Sequence, residues 1–503
     1  MFSYINFIKF IFFFKKKFKF NRYKKNIILI EVFDFKPSII AFLYFTYTSC
    51  NFFKAKTVLY YPKFFIFSQK LKFIFKRANP FFIVNVLKFI LKSDLLIPNN
   101  NEENIDYQKI LKKIKTKKDL LEIKIKGIWV GDLFYDEYLR SNDILNINVK
   151  SVHFKKEIVK YIKLFYYWHN KLSNKNVKAL IISHNVYLIG VPSRIAINFR
   201  ISVYSVRLTD IAYLTNKNPH AFGGFHNYRK HFKKLITSKK KIAIKLAKKQ
   251  IDLRFKGKKD ILYNLNQEND VRVFDKTKIT SNKSQKFKSF KVLIAAHCFT
   301  DAPHAYGKTI FTDFYDWIDF LGKQTIDNNY EWYIKLHPAD YDRNLEKIEL
   351  FLKKYKNFQL IKKETTHNEL IQKGINVVLT TYGSIAHEYP LFDIPVVNAG
   401  INPHISYKFS ETPRSFNSYK NYIKNLKNIK VKKKVKKDIY EFYYMNFLSN
   451  KTPFKKIINK FQDENSYLIY KEFFLKRLNL ESKKINREYL DFIKSKKFKM
   501  LDF

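Results

Sequence analysis

The chain has 503 residues, 46% of them apolar, with 96 Lys or Arg against 43 Asp or Glu for a formal charge of +53. This length and apolar fraction exclude a disordered chain and leave room for roughly two or three domains, while the charge confines partners to anionic ones such as nucleic acid, acidic lipid or phosphorylated substrates. The two cysteines, Cys50 and Cys298, exclude a disulfide framework and a cysteine-rich metal site and fit a cytoplasmic compartment.

Phe, Ile, Lys, Asn and Tyr are used heavily and Gly, Ala and Pro sparingly, as an AT-rich coding sequence would produce, so many of the lysines need no functional reading. Residues 1–25 hold an apolar run broken by Lys9 and followed by a basic cluster. That charge order opposes a cleavable signal, and the run is shorter than the roughly 20 residues a bilayer span needs. An interfacial anchor on an anionic membrane surface is left open. Next, "NIILIEVFDF" reads as a buried parallel strand, the stretch from Pro37 to Phe53 as a buried helix rather than a membrane one, and "KTVLYYP" as the strand completing a βαβ unit. "IKGIWVGDLFYDEYLR" places Gly131 and Asp132 in a loop. "VHFKKEIVKYIKLFYYWHNKL" is a helix, "VKALIISHNVYLIG" a strand and loop, "VPSRIAINFR" a helix with Pro192 in its first turn, and "ISVYSV" a strand.

Residues 266–289 turn polar without a sustained period and read as an interdomain linker. A second alternating block follows over 290–415: "FKVLIAAHCF", "YEWYIKLHP", "FQLIK", "INVVLTTYG" and "IPVVNAG" as strands, separated by helices, the last of them "SIAHEYPLFD". The remainder, 416–503, is Lys- and aromatic-rich helix. The expected fold is therefore α/β, with two doubly wound Rossmann-like domains, 26–265 and 290–415, facing each other across a cleft.

The chemistry-bearing residues fall on loops after strands. His337 and Pro338 end "YIKLHP"; the imidazole can donate to a phosphate oxygen and, once protonated, offset charge on a leaving phosphate, while the proline fixes the turn. Thr380, Thr381, Tyr382, Gly383 and Ser384 end the "VVLTTYGS" strand and open a helix suited to an anion. Glu388, one turn deeper, is placed to accept from ribose hydroxyls. Taken singly these are an ordinary strand-ending proline and an ordinary helix cap. Together they are expected on neighbouring strands, gripping one anionic group.

"IKLHP" with "TTYGSIAHEYPLFDIPVVNAG" resembles the C-terminal donor domain of two-domain GT-B glycosyltransferases of the capsule and surface-polysaccharide group, relatives of CDP-glycerol glycerophosphotransferases and CMP-sugar transferases. The match spans about 290–410. It implies phosphate ligands at His337 and Ser384, a ribose ligand at Glu388, a nucleotide-activated sugar as donor, a polysaccharide or lipid-linked glycan as acceptor, and no cofactor. Where those relatives often carry Asp-Ser-Ser, this chain has Tyr382, Gly383 and Ser384, so donor identity does not carry over.

In "AAHCFTDAPHAYG", His297 and Asp301 are expected to touch the transferred sugar or the acceptor; with Cys298 and His304 they crowd a single loop and no second cluster completes a zinc site, so no metal is expected. The general base for the acceptor hydroxyl is expected in the first domain, His184 first and Asp132 second, with Asp136 and Arg194 nearby. A non-hydrolysing sugar-nucleotide epimerase is the alternative on the same fold. A nucleic-acid binder is the alternative from the charge, but no zinc finger, RNA-recognition signature or Walker loop accompanies it, so no specific nucleic-acid partner is expected.

Overall fold

Nearly continuous apolar runs such as "NIILIE" and "KVLIA" suit strands covered on both faces, the condition of parallel sheets. The structure, a computed structural model, describes residues 4–21, 23–33, 36–64, 80–99, 105–220, 223–257, 274–275, 289–307, 309–325, 329–337, 341–433, 435–449, 451–458 and 464–496. The chain divides into two units, one of Met1–Tyr138, Ile147–Gly223 and Asn450–Phe503, the other of Leu139–Asn146 and Gly224–Ser449. The end of the chain thus returns to the first unit, and residues 224–257, placed in the first domain from the sequence, belong to the second. Apart from Phe274, Asp275 and Ser289, the linker expected at 266–289 lies outside the described residues, as does Pro338.

The first unit opens with helix α1 (Tyr4–Lys17) and is built on a sheet of β1 (Asn26–Glu31), β2 (Ala55–Tyr60), β3 (Asp94–Leu96), β6 (Val177–Ile182), β7 (Ser202–Val206) and β8 (Ile211–Leu214), in the order β3-β2-β1-β6-β7-β8. All pairs are parallel except β7–β8, an antiparallel edge the sequence reading did not separate from its loop. A short hairpin, β4 (Lys124–Ile125) and β5 (Ile128–Trp129), stands apart. Helix α2 (Lys36–Phe53) is the segment that composition alone could assign to a membrane. Ile39 to Phe45 are each at most 2% exposed, with Phe45 against Tyr489 of the C-terminal helix at 5.2 Å between ring centroids. It is a core helix, and among the described residues no helix is long and apolar enough to cross a membrane. Helix α3 is Pro80–Leu91, α4 Gly131–Asn142, α5 Val152–Leu172 and α6 Val191–Asn198.

Gly131 opens α4 rather than lying in a loop, and the packing explains why glycine is there. A Cβ would lie 2.2 Å from the Leu120 carbonyl oxygen and 2.4 Å from that of Leu121, so the helix start presses against backbone.

The second unit holds α7 (Thr237–Phe255), α8 (Phe314–Gln324) and a five-stranded parallel sheet of β9 (Lys291–Ala295), β10 (Glu331–Lys335), β11 (Phe358–Leu360), β12 (Val377–Thr380) and β13 (Val396–Asn398), ordered β11-β10-β9-β12-β13. Alternate residues feed two cores, as period-2 side chains dictate. Val292, Ile294, Trp332, Ile334, Val377 and Leu379 face one core, and Leu293, Tyr333, Val378 and Val396 the other. Each unit is a doubly wound α/β sheet, as the sequence pattern predicts.

Candidate active site

Doubly wound sheets bind ligands beyond the carboxyl ends of their strands, where the winding direction reverses. In the second sheet this point lies between β9 and β12, and in the first between β1 and β6.

At the reversal point of the second unit, β9 runs into His297, β10 into His337 and β12 into Thr381–Ser384. Because β9 separates β10 from β12, the His337 and Ser384 loops are not on neighbouring strands, as expected from the sequence. His297 bridges them. Its ring stacks on His337, with centroids 5.7 Å apart and planes at 18°, and lies 4.5 Å from the Tyr382 ring. Phe314, at the start of α8, supports it at 5.4 Å. Tyr382 packs on Tyr306 at 4.8 Å and donates from its hydroxyl to the Ala302 carbonyl at 3.4 Å. Underneath, the Thr380 hydroxyl donates to the Ala295 carbonyl at 3.1 Å and accepts from the Gly383 N–H at 3.4 Å, fixing the β12 turn against β9. Three loops that are distant in sequence therefore share one face.

Burial pushes the His297 imidazole down to about 4, His337 adding to the shift and Asp301 opposing it. The ring is neutral near pH 7. Its buried Nδ1 and the buried Thr381 Oγ1 have no hydrogen-bond partner among the described residues, an arrangement that favours an incoming polar ligand. Ser384 has helical backbone angles and makes no side-chain capping bond, so the ordinary reading of it as a helix cap does not hold. Helix α9 behind it spans only Ile385–Glu388 and continues as a 3-10 turn through Tyr389–Phe392. Pro390 removes an N–H at that point, and the helix expected over "SIAHEYPLFD" is reduced to one turn of α-helix.

Glu388 departs from expectation. It is 2% exposed and its Oε1 accepts from Arg254 Nε of α7 at 2.7 Å, a buried ion pair beneath the edge rather than an open position for a ribose. Lys335 of the "IKLHP" segment is also turned inward; its Nζ donates to the Thr365 carbonyl at 2.7 Å, and burial lowers it to about 8, against the pull of Glu369 and Glu364. Asp301 is half exposed, 3.5 Å from Arg140.

In the first unit the reversal point holds a buried carboxylate that is not among the residues expected from the sequence. Glu31, the last residue of β1, is 2% exposed. Its Oε2 accepts from the Ser183 N–H at 2.6 Å and its Oε1 from the Ser183 hydroxyl at 2.8 Å, and the His184 N–H also reaches it. Desolvation raises it to about 7 despite these donors. Ser183 Oγ in turn lies 3.0 Å from Nδ1 of His184, whose side chain is exposed at the end of β6. A chain of carboxylate, hydroxyl and imidazole thus stands at the strand ends. The available signal was a carboxylate closing an otherwise apolar strand, "NIILIE".

Asp132 is placed differently. It is 2% exposed, and its Oδ2 accepts from Arg194 Nη2 at 2.7 Å, while the guanidinium lies over the Trp129 ring at 4.8 Å. A carboxylate held in this way by a buried cation is a structural anchor between α4 and α6, not an open general base. Of the two base candidates the structure leaves His184 accessible.

No family model matches the chain, and no curated protein does. Solved structures to which it is similar include a beta-Kdo 2,4-transferase, KpsC, of Thermosulfurimonas dismutans, at 10% identity and TM-score 0.32 over 54% of this chain and 79% of that one. A glycosyltransferase of Rickettsia africae is similar at 9% identity and TM-score 0.26 over 93% and 99%. A UDP-GlcNAc 2-epimerase of Methanocaldococcus jannaschii is similar at 9% and 0.25 over 81% and 93%. The kinds of protein that the sequence resembles recur among them. At that level of similarity, function has to be read from this chain's own residues.

Proposed function

We propose that the protein is a glycosyltransferase that takes a sugar from a nucleotide-activated donor and passes it to a surface polysaccharide or lipid-linked glycan. The observation that carries this reading is the contact of the His297 ring with His337 and with Tyr382 at the reversal point of the second sheet, where the strand-end loops that carry His337, Thr381 and Ser384 lie and the buried His297 Nδ1 and Thr381 Oγ1 have no partner among the described residues. Such donors suit a phosphate. As the bond between the anomeric carbon and the phosphate oxygen breaks, charge gathers on that oxygen, and an imidazolium at His337 with the Ser384 hydroxyl offsets it. Protein groups meet the charge in this scheme, so chelators should leave the rate unchanged.

On the acceptor side the base is His184. As a base it would take the proton of an acceptor hydroxyl on Nε2. With Glu31 ionised, Ser183 donates to Glu31 and accepts from the imidazole Nδ1–H, which leaves the lone pair on Nε2. His297 and Asp301 border the donor face, where the sugar would lie. The test is product analysis with nucleotide-sugar donors in the presence and absence of acceptor glycan. Acceptor-dependent release of nucleotide supports transfer; conversion of the donor sugar to its epimer without acceptor would replace this reading with the epimerase one.

A further inference from the structure

Helix α1 buries one stripe and exposes another. Phe10, Phe14 and Phe18, four residues apart, pack around Tyr44 of α2 at ring-centroid distances of 6.3, 5.1 and 5.3 Å. On the opposite stripe, Ile8 is 38% and Phe12 63% exposed, although both are apolar and sit one helical turn apart. Beside them Phe89 of α3 is 50% exposed, and the Lys15 ammonium lies 2.9 Å from the centre of its ring, which ties the two helices into one face.

The charge near this face along the chain is mostly positive, Asp94 beyond the end of α3 being the exposed acidic residue next to it in sequence. Residues 1–30 contain Lys9, Lys15, Lys16, Lys17, Lys19, Arg22, Lys24 and Lys25 and no Asp or Glu, and Lys88 and Lys92 flank Phe89. Lys9, Lys16 and Lys88 are exposed. Scattered exposed apolar residues need no explanation. Aromatic and aliphatic side chains projecting from two adjoining helices amid many lysines do, because water alone gives no reason to hold them there.

We propose that the outer face of α1 and α3, with Ile8, Phe12 and Phe89 as its apolar points and the surrounding lysines as its collar, docks on an anionic lipid bilayer surface. The lysines attract acidic headgroups, and the apolar side chains enter the boundary between headgroups and acyl chains. Ile8, an aliphatic side chain with no π-face, and the amphipathic spacing favour lipid over nucleic acid, whose bases call for stacking rings. Each lysine near the surface is worth about fivefold in affinity. Losing the two half-exposed phenylalanines should cost about tenfold more.

The experiment labels the full chain with an environment-sensitive fluorophore at Phe12→Cys, Phe89→Cys or, on the second unit, Leu350→Cys, a position 63% exposed. Cys50 and Cys298 are buried and take no label in the folded protein. With vesicles of phosphatidylcholine and phosphatidylglycerol at 7:3, the probes at 12 and 89 shift to the blue and the probe at 350 does not; pure phosphatidylcholine gives no shift. Co-sedimentation of a Phe12→Ser, Phe89→Ser double variant, shown by its thermal melt to be folded, falls about tenfold at 0.15 M salt. The proposal is overturned by equal shifts at all three positions, which would indicate adsorption by net charge, by undiminished sedimentation of the double variant, or by capture of single-stranded RNA in place of vesicles.

Discussion

Acidification should destabilise the second unit through histidines that the fold keeps neutral. His367 is 8% exposed and bonds through Nδ1 to the Tyr389 hydroxyl at 2.8 Å. His387, 2% exposed, bonds to His404 at 3.3 Å inside a cage of Phe442, Tyr443 and Phe447. Burial depresses His367 to about 4, with Glu388 opposing and Lys335 and Arg254 adding, and His387 to about 3, with Arg254 adding. Both are near 6.5 when unfolded. The unfolded chain therefore binds protons first, so the stability from keeping these rings neutral is full above 6.5 and is lost as pH falls toward the folded values. Between pH 7.5 and 5 each ring costs about 2 kcal/mol, or about 4 kcal/mol for the two. Glu31 works in the opposite direction in the first unit. Its folded value is raised to about 7, so the folded state takes up the proton first and that unit gains about 2 kcal/mol over the same interval. The decisive comparison is therefore between wild type and His387→Gln. Urea unfolding followed by tryptophan emission at a series of pH values, with Trp317 and Trp332 reporting on the second core, should show the variant's stability falling less steeply, by about 1.4 kcal/mol per pH unit between pH 6 and 4. Equal slopes would refute the claim that His387 is held neutral by burial.

Two further outcomes follow from the first unit. Arg194→Leu leaves Asp132 buried without its cation and should cost about 4 kcal/mol, whereas the double variant Arg194→Leu, Asp132→Leu should recover much of that in denaturant melts; an equally unstable double variant would show that the pair is not the source. Glu31→Gln keeps the shape but removes the charge that orients Ser183, so nitrogen NMR should show His184 shifting away from the Nδ1–H tautomer and, if His184 is the base, kcat falling with KM little changed. An unchanged tautomer would remove Glu31 from any positioning role.

The doubly wound architecture was legible because parallel strands buried on both faces leave unbroken apolar runs, and "NIILIE", "KALII", "KVLIA" and "NVVLT" each became a strand. The candidate site was legible only in part. His337 and Ser384 could be placed at strand ends by pattern, but strand order is a long-range property, and β9 between them could not be read locally. The buried pairing of Asp132 and Glu388 is not legible locally because their partners, Arg194 and Arg254, lie 62 and 134 residues away. Gly131 reads as a loop residue in the sequence because the backbone it presses on, at Leu120 and Leu121, leaves no mark at position 131. Glu31 gives no sign of its role in the sequence because a polar strand end usually means solvent, whereas here it marks the reversal point of the sheet.

The most direct test is calorimetric titration of CMP, CDP, UDP and GDP against wild type, His337→Ala, Ser384→Ala and the double variant, each checked for folding. One nucleotide should bind selectively, each substitution should weaken it about tenfold or more, as loss of a hydrogen bond to a charged group implies, and the double variant should lose it. A nucleotide held with undiminished affinity by the double variant, or no binding of any of the four by the wild type, would contradict the proposed phosphate site.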